Sequence, residues 1–246
     1  MNLFTSLILA ISVTLCSIVN AGLVGHWAVD ENTQNSVVAN DGLWTCNTTY
    51  ISGRIGNARQ FDGLGYVSIP SVPAYQFGVG AFSVALWMKF DALRGNSDGF
   101  LHKDDYGADG SSAGWLFNCD ILGGGLVWNT PAGQNAPARQ SPIASFVLDT
   151  GDGFIGVRRG YHVSFYIDGQ LPATATSASP INVNPNADLD IDALGSGDRQ
   201  YFKGAVDEAR LYDHALSGPE IDVVADVPEA STYSSMIGLL RWRRGS

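Results

Sequence analysis

The stretch YFKGAVDEARLYDHALSGPEI, residues 201–221, carries the pattern that decides the fold. Residues 202–212 alternate as a strand does, and the Asp-His-Ala-Leu-Ser run closes them with a turn. Ser217 is a good helix N-cap, Pro219 suits an early helical position and Glu220 stands three residues after the cap. The spacing therefore predicts a strand running straight into a short capped helix. Period-two alternation puts Ala205, Asp207, Ala209 and Leu211 on one face and Val206, Glu208, Arg210 and Tyr212 on the other. The first face is small and apolar except for Asp207. A carboxylate among buried apolar neighbours needs a cation, an arginine or several hydrogen-bond donors, which makes Asp207 the most informative residue of the chain.

Upstream, residues 152–171 read as a hairpin of two alternating strands joined at Arg159-Gly160, followed by an Asp168-Gly169 turn. Residues 99–103, 114–119 and 124–129 read as three successive short strands joined by Asp- and Gly-rich turns, and residues 82–90 as a half-buried strand. Residues 56–70 give strand, turn and strand, with a bend at Gly63-Leu64-Gly65, and residues 23–29 open the pattern with a strand that ends at Asp30-Glu31-Asn32. Residues 33–57 and 130–142 lack clear periodicity and read as loops. The Asp104, Asp105 and Asp109 cluster lacks the spacing of an EF-hand, and a solvated turn accounts for it. No internal repeat is visible.

Residues 201–221 resemble the closing strand of laminin G-like (LamG) domains, F-x-G-x-[IV]-D-E-V-R-[IL]-Y-N-R-A-L-S-x-x-E-I, through Phe202, Gly204, Val206, Asp207, Glu208, Arg210, Leu211, Tyr212, Ala215, Leu216, Ser217, Glu220 and Ile221. The opening GLVGHWAVDEN is similar to the family's first strand at Trp27, Asp30 and Glu31. The 56–70, 82–90 and 152–171 segments resemble further strands in the same order. The resemblance implies an all-β fold, a concanavalin A-like jelly-roll β-sandwich of two antiparallel sheets, over residues 22–224. Many LamG-like domains hold calcium, and their opening and closing strands often lie side by side. The resemblance thus implies a structural Ca²⁺ held by Asp207, Asp30 and Glu31, with loop carbonyls completing the six to eight oxygens that this ion takes. A buried pair with Arg59 or another arginine, or capture by backbone N–H groups, would answer the same need.

The chain has 246 residues, with 24 acidic against 14 basic side chains and a formal charge of −10. That balance argues against nucleic acid as a partner and suits cation binding or plain solubility. Residues 1–21 read as an export signal: residues 7–19 are an apolar run, and Val19-Asn20-Ala21 supplies the small residues that a signal peptidase requires. Cleavage there would remove Cys16 and leave Cys46 and Cys119, a disulfide candidate in an oxidising compartment or two separate thiols. Residues 225–246 resemble a bacterial PEP-CTERM sorting tail through Val227-Pro228-Glu229-Ala230-Ser231-Thr232 and the basic end at Arg241, Arg243 and Arg244. Its apolar piece is far shorter than the ~20 residues of a membrane span. The expectation is export by the general secretory route to the cell envelope, surface or medium, with the sorting machinery as partner of the tail.

For function, the resemblance implies an exported, non-catalytic module that binds an extracellular glycan or a surface protein. The alternatives are a structural envelope component and a glycoside hydrolase. Sugars stack on aromatic faces, and Trp44, Trp115, Trp128 and Tyr106 are the candidate ligand-binding residues, although each tryptophan also fits a core position. Asp188, Asp190 and Asp192 alternate along one strand, but a glycosidase needs two carboxylates flanking one bond, and a charged edge strand explains the run as well. No Ser-His-Asp order, phosphate loop or zinc spacing appears among the four His and three Cys.

Overall fold

Strand follows strand through the computed structural model, which describes residues 22–45, 48–92, 97–106, 112–120, 125–129, 138–142, 151–176, 182–191 and 201–225. In chain order these are β1 (Leu23–Trp27), β2 (Leu43–Trp44), β3 (Thr49–Ser52), β4 (Asn57–Asp62), β5 (Val67–Ile69), β6 (Phe82–Ala92), β7 (Ser97–Tyr106), β8 (Ser112–Asp120), β9 (Gly125–Asn129), β10 (Ala138–Pro142), β11 (Gly151–Arg159), β12 (His162–Ile167), β13 (Gln170–Thr176), β14 (Leu189–Ile191), β15 (Lys203–Tyr212) and helix α1 (Gly218–Ala225). The signal segment, Cys46, Asp109, Asp192 and the sorting tail lie outside the described residues.

The strands form two antiparallel sheets. The first has the order β13-β12-β11-β6-β15-β4-β3, with β1 also on β15, and the second β10-β9-β8-β7-β14-β5-β2. Chain neighbours such as β4 and β5, or β6 and β7, thus fall in different sheets, which is the jelly-roll arrangement. The inner faces close on one core. Phe82, Val84, Leu86 and Phe90 of β6 meet Trp115 and Phe117 of β8, Trp128 of β9 and Ile191 of β14. Its aromatic rings interlock, with Phe117 and Trp128 centroids 4.6 Å apart and Phe90 edge-on to Phe100 and Phe202. Each such ring contributes about 1.5–3 kcal/mol by burial.

The outer face of the first sheet carries a second apolar cluster. Ala85, Ile155, Val157 and Tyr212 lie under Leu216, Ile221 and Val224, so α1 folds back over the strand that precedes it. The predicted strand-to-helix link is present: Glu220 accepts hydrogen bonds from the Ser217 amide at 2.7 Å and hydroxyl at 2.6 Å. Among the described residues no helix is long and apolar enough to cross a membrane.

Two segments expected to be loops contain strands. Residues 33–57 include β2, β3 and the first residue of β4, and residues 130–142 end in β10. These edge strands are two to five residues long, too short for periodicity to register. Simple alternation also fails along β15. Val206, Ala209 and Leu211 face the core, whereas Ala205 and Asp207 face outward with Arg210 and Tyr212. A bulge between Asp207 and Arg210 inserts one residue, and Glu208 takes a positive φ of 53° there.

Candidate functional site

The bulge stands where β15 changes partner. Its first half pairs with β4, through Lys203–Val206, and its second half with β1, through Ala209–Tyr212. At the changeover Asp207 turns outward, 3% exposed, under the β3–β4 turn. Asp207 Oδ2 accepts hydrogen bonds from the amides of Arg54 at 2.8 Å and Ile55 at 3.1 Å. Asp30 does the same at the other end of the turn, where its Oδ1 accepts from the Asn57 amide at 2.5 Å. The turn fits between the two carboxylates because it contains glycines. A Cβ on Gly53 would stand 2.6 Å from Asp207 Oδ2, and one on Gly56, at φ +66°, 2.5 Å from Asp30 Oδ1.

Of the answers open for Asp207, backbone capture is therefore the one seen. Arg59 lies elsewhere, inside the sandwich edge, its guanidinium 3.3 Å from the Trp44 ring centre and 4.3 Å from that of Tyr50. Capture is incomplete, since Asp207 Oδ1 is buried without a hydrogen-bond partner. Burial pushes the Asp207 carboxyl up to about 7, assisted by the charges of Glu208 and Asp30 and opposed by the two amides. Asp207 Oδ1 is thus a buried carboxylate oxygen without a partner, with the Asp30 carboxylate near enough to add to its proton affinity. Glu31 is exposed. No group of three or more His, Cys, Asp and Glu side chains able to hold a metal occurs among the described residues, so an ion there would rely on Asp207, Asp30 and carbonyls.

Two adjoining cavities open beside this turn on the outer face of the first sheet. One, of about 200 Å³, runs from Ile51 and Gly53 past Trp87 and Lys89 to Asp207. The other, of about 510 Å³, is bounded by Asp168, Gly169, Gln170, Asp222 and Ala225. Arg54, Trp87 and Gly151 line both and so form their junction. Trp87 of β6 stands between Gly153 of β11 and Asp207 of β15, with the Arg54 guanidinium 4.2 Å from its ring centre. Asp168 is fixed by its hydrogen bond from the Gly153 amide at 2.8 Å. The result is a cleft with an indole at its centre and carboxylate, amide and guanidinium groups around it.

The tryptophans singled out from sequence do not form this cleft. Trp115 and Trp128 are fully buried in the core, so neither has a face to offer a sugar. Trp44 packs against the same core and has Arg59 on its ring. Tyr106 ends β7. Cys119 is buried in the core, and its proposed partner Cys46 is outside the described residues. Sequence periodicity had already assigned Trp87 to an alternating strand. The missing information was which sheet face a cleft would open on.

Two polar groupings lie apart from the cleft. On the outer face of the second sheet Asp190 pairs in register with His102, the carboxylate and ring nitrogen being 3.6 Å apart, with Asp104 two residues along the same strand. Asp188 accepts from the Ser71 amide at 2.9 Å. On the first sheet His26 is hydrogen bonded to Ser36 Oγ at 2.9 Å and to Glu208 at 2.9 Å, and Glu208 also accepts from Arg210. Burial alone would raise the Glu208 carboxyl, but His26 and Arg210 outweigh it and hold it below the ordinary range. The order of groups is that of a nucleophile relay. However, the Ser36 amide donates to the His26 carbonyl, and those of Val37 and Val38 to Asn35 Oδ1, so the nearby amides that would stabilise an oxyanion are engaged.

A family profile described as the concanavalin A-like lectin/glucanases superfamily matches residues 61–222. No curated protein matches the sequence. Among solved structures, domain 4 of AbnA, a GH43 extracellular arabinanase from Geobacillus stearothermophilus in complex with arabinotriose, aligns with a TM-score of 0.66 at 19% identity, covering 84% of this chain and 99% of that one. The binding domain of Paraclostridial Mosquitocidal Protein 1 gives 0.66 at 13% identity, over 85% and 52%. A Trypanosoma rangeli sialidase mutant displaying trans-sialidase activity gives 0.64 at 20% identity, over 84% and 33%. The chain thus spans about half of the second structure and a third of the third. At these identities the likeness is one of fold.

Proposed function

Since the chain belongs to the concanavalin A-like lectin/glucanases superfamily, we propose that it is an exported, non-catalytic module that binds carbohydrate in the cleft beside Trp87. The observation that carries this reading is the cleft itself. Its larger cavity, about 510 Å³, is in the size range of small-ligand sites and presents an indole with Arg54, Asp168, Gln170 and Asp222 around it. An aromatic ring surrounded by hydrogen-bonding groups matches a sugar, which has apolar C–H faces and a rim of hydroxyls. The arabinotriose bound by domain 4 of AbnA makes short neutral oligosaccharides the natural first probes. The test is a glycan array, with and without calcium, followed by calorimetric titration of arabinotriose, xylotriose and maltotriose into wild type and Trp87→Ala. Saturable binding that Trp87→Ala abolishes is the expected result. Binding untouched by Trp87→Ala moves the site elsewhere, and silence across the array leaves a structural envelope role.

Calcium, in this reading, is a structural ion held by Asp207 and Asp30 beneath the β3–β4 turn, and it would neutralise two carboxylates next to the cleft. A metal that binds only the folded state raises the melting temperature with its concentration. Melting in EDTA and then in millimolar calcium should show that rise, and an identical melt in both removes the metal.

A further inference from the structure

We infer that Asp168 selects the sugar: its carboxylate is a preset acceptor for a hydroxyl group of the ligand, and it restricts the cleft to neutral rings. The inference rests on the carbohydrate reading of the cleft and adds the residue that discriminates among sugars.

Asp168 and Gly169 form the two-residue turn between β12 and β13, with φ of 48° and 74°. A two-residue hairpin turn with both φ values positive is type I′, which favours Asn-Gly and Asp-Gly alike. Two neighbours fix its place. Gly153 of β11 donates its amide to Asp168 Oδ1 at 2.8 Å, and the Asp168 amide donates to the Gly153 carbonyl at 2.8 Å. Gly169 packs on the end of α1, where a Cβ on it would come within 3.3 Å of the Ala225 side chain. Gly153 also packs on the indole, since a Cβ there would stand 3.1–3.5 Å from three Trp87 ring atoms. One backbone residue thus joins the acceptor to the aromatic ring, and Asp168 and Trp87 both line the larger cavity.

The turn itself does not need a carboxylate. Asparagine adopts the same φ and would offer its side-chain carbonyl to the Gly153 amide as well. What aspartate adds is a second acceptor oxygen and a negative charge. Asp168 is exposed, and its Oδ2 takes no hydrogen bond among the described residues. An ionised carboxylate is acceptor-only, so it calls for a donor, and hydroxyl groups are the donors that a sugar carries. Charge then sets the class of sugar. The larger cavity has two carboxylates, Asp168 and Asp222, against one guanidinium, that of Arg54. A uronate brought there would meet its own sign, whereas a neutral ring would not.

The test compares the full chain with Asp168→Asn and Asp168→Ala by thermal melt and by titration of the same neutral trisaccharides and of trigalacturonate. Asp168→Asn should melt like wild type, because it keeps the turn and the bond from Gly153. It should nevertheless bind the neutral trisaccharides roughly ten- to a hundredfold more weakly, the loss expected for a hydrogen bond to a charged group. Trigalacturonate should bind wild type less tightly than the neutral sugars do, and that gap should narrow in Asp168→Asn. Asp168→Ala should lose neutral binding too and also melt lower, since alanine is strained at positive φ. A residue that serves the turn alone would leave Asp168→Asn binding as wild type does. Unchanged neutral binding in Asp168→Asn, or an unchanged gap between neutral and acidic sugars, overturns the inference and leaves the carbohydrate reading standing. If wild type binds no sugar, both fall together.

Discussion

Asp207 holds a carboxyl group where ionisation is costly, with one oxygen on two amides and the other without a partner. Its affinity for a proton, raised from the ordinary 3.8 to about 7, has a defined consequence for stability. Between those two values the folded state retains a proton that the unfolded chain releases, so stability declines as pH rises through this interval and levels off above about pH 7. In EDTA, urea unfolding at pH 5 and pH 8 should show wild type losing stability on the order of a few kcal/mol relative to Asp207→Asn. Asparagine keeps the acceptor for the Arg54 and Ile55 amides and carries no charge to bury. An equal response of the two proteins to pH would mean that Asp207 ionises normally. The prominence of Asp207 was legible in sequence, because alternation set it among small apolar residues, although the bulge leaves Ala209 and Leu211 on the opposite face. Its capture by a turn some 150 residues earlier was not, because backbone donors leave no mark in side-chain pattern.

At the scale of elements, β15 and α1 act as one unit. The bulge at Glu208 rotates the second half of the strand so that Arg210 and Tyr212 face outward, and Tyr212 then joins Leu216, Ile221 and Val224 under the helix. Truncating Ile221, 3% exposed, to alanine should cost about 2–4 kcal/mol in denaturant unfolding. Ser217→Ala, which loses a bond to Glu220 at the N-cap, should cost about 1 kcal/mol. A negligible effect of Ile221→Ala would show that α1 adds little to the sandwich. The succession of the longer strands and the capped helix were legible because period two and cap chemistry are local. The bulge was not, since one inserted residue inverts the apparent face of Ala209 and Leu211 without changing their identity. Whether Trp115 and Trp128 were core or surface stayed open in sequence for a related reason. Trp115 and Trp128 alternate like any half-buried residue, and the inner face of the second sheet, not their own segment, determines that they are core.

For the whole molecule, short edge strands, a core filled with aromatic rings and an outer cleft suit a platform that presents a site on one sheet face. The formal charge of −10 gives no attraction for polyanions and agrees with a neutral ligand. Export remains a matter for the mature protein: N-terminal sequencing of the secreted form should read from Gly22, and a secreted protein still starting at Met1 would exclude cleavage. The proposed binding of sugar is at Trp87 and not at the tryptophans of the core. It is tested most directly by ¹H–¹⁵N spectra of the indole N–H groups during titration with the tightest-binding trisaccharide. The chain has six tryptophans. The Trp87 indole signal should move progressively to saturation while those of Trp27, Trp115 and Trp128, all fully buried, stay in place. A Trp87 signal that does not move while backbone signals around His102 and Asp190 do would put the glycan on the other sheet and contradict it.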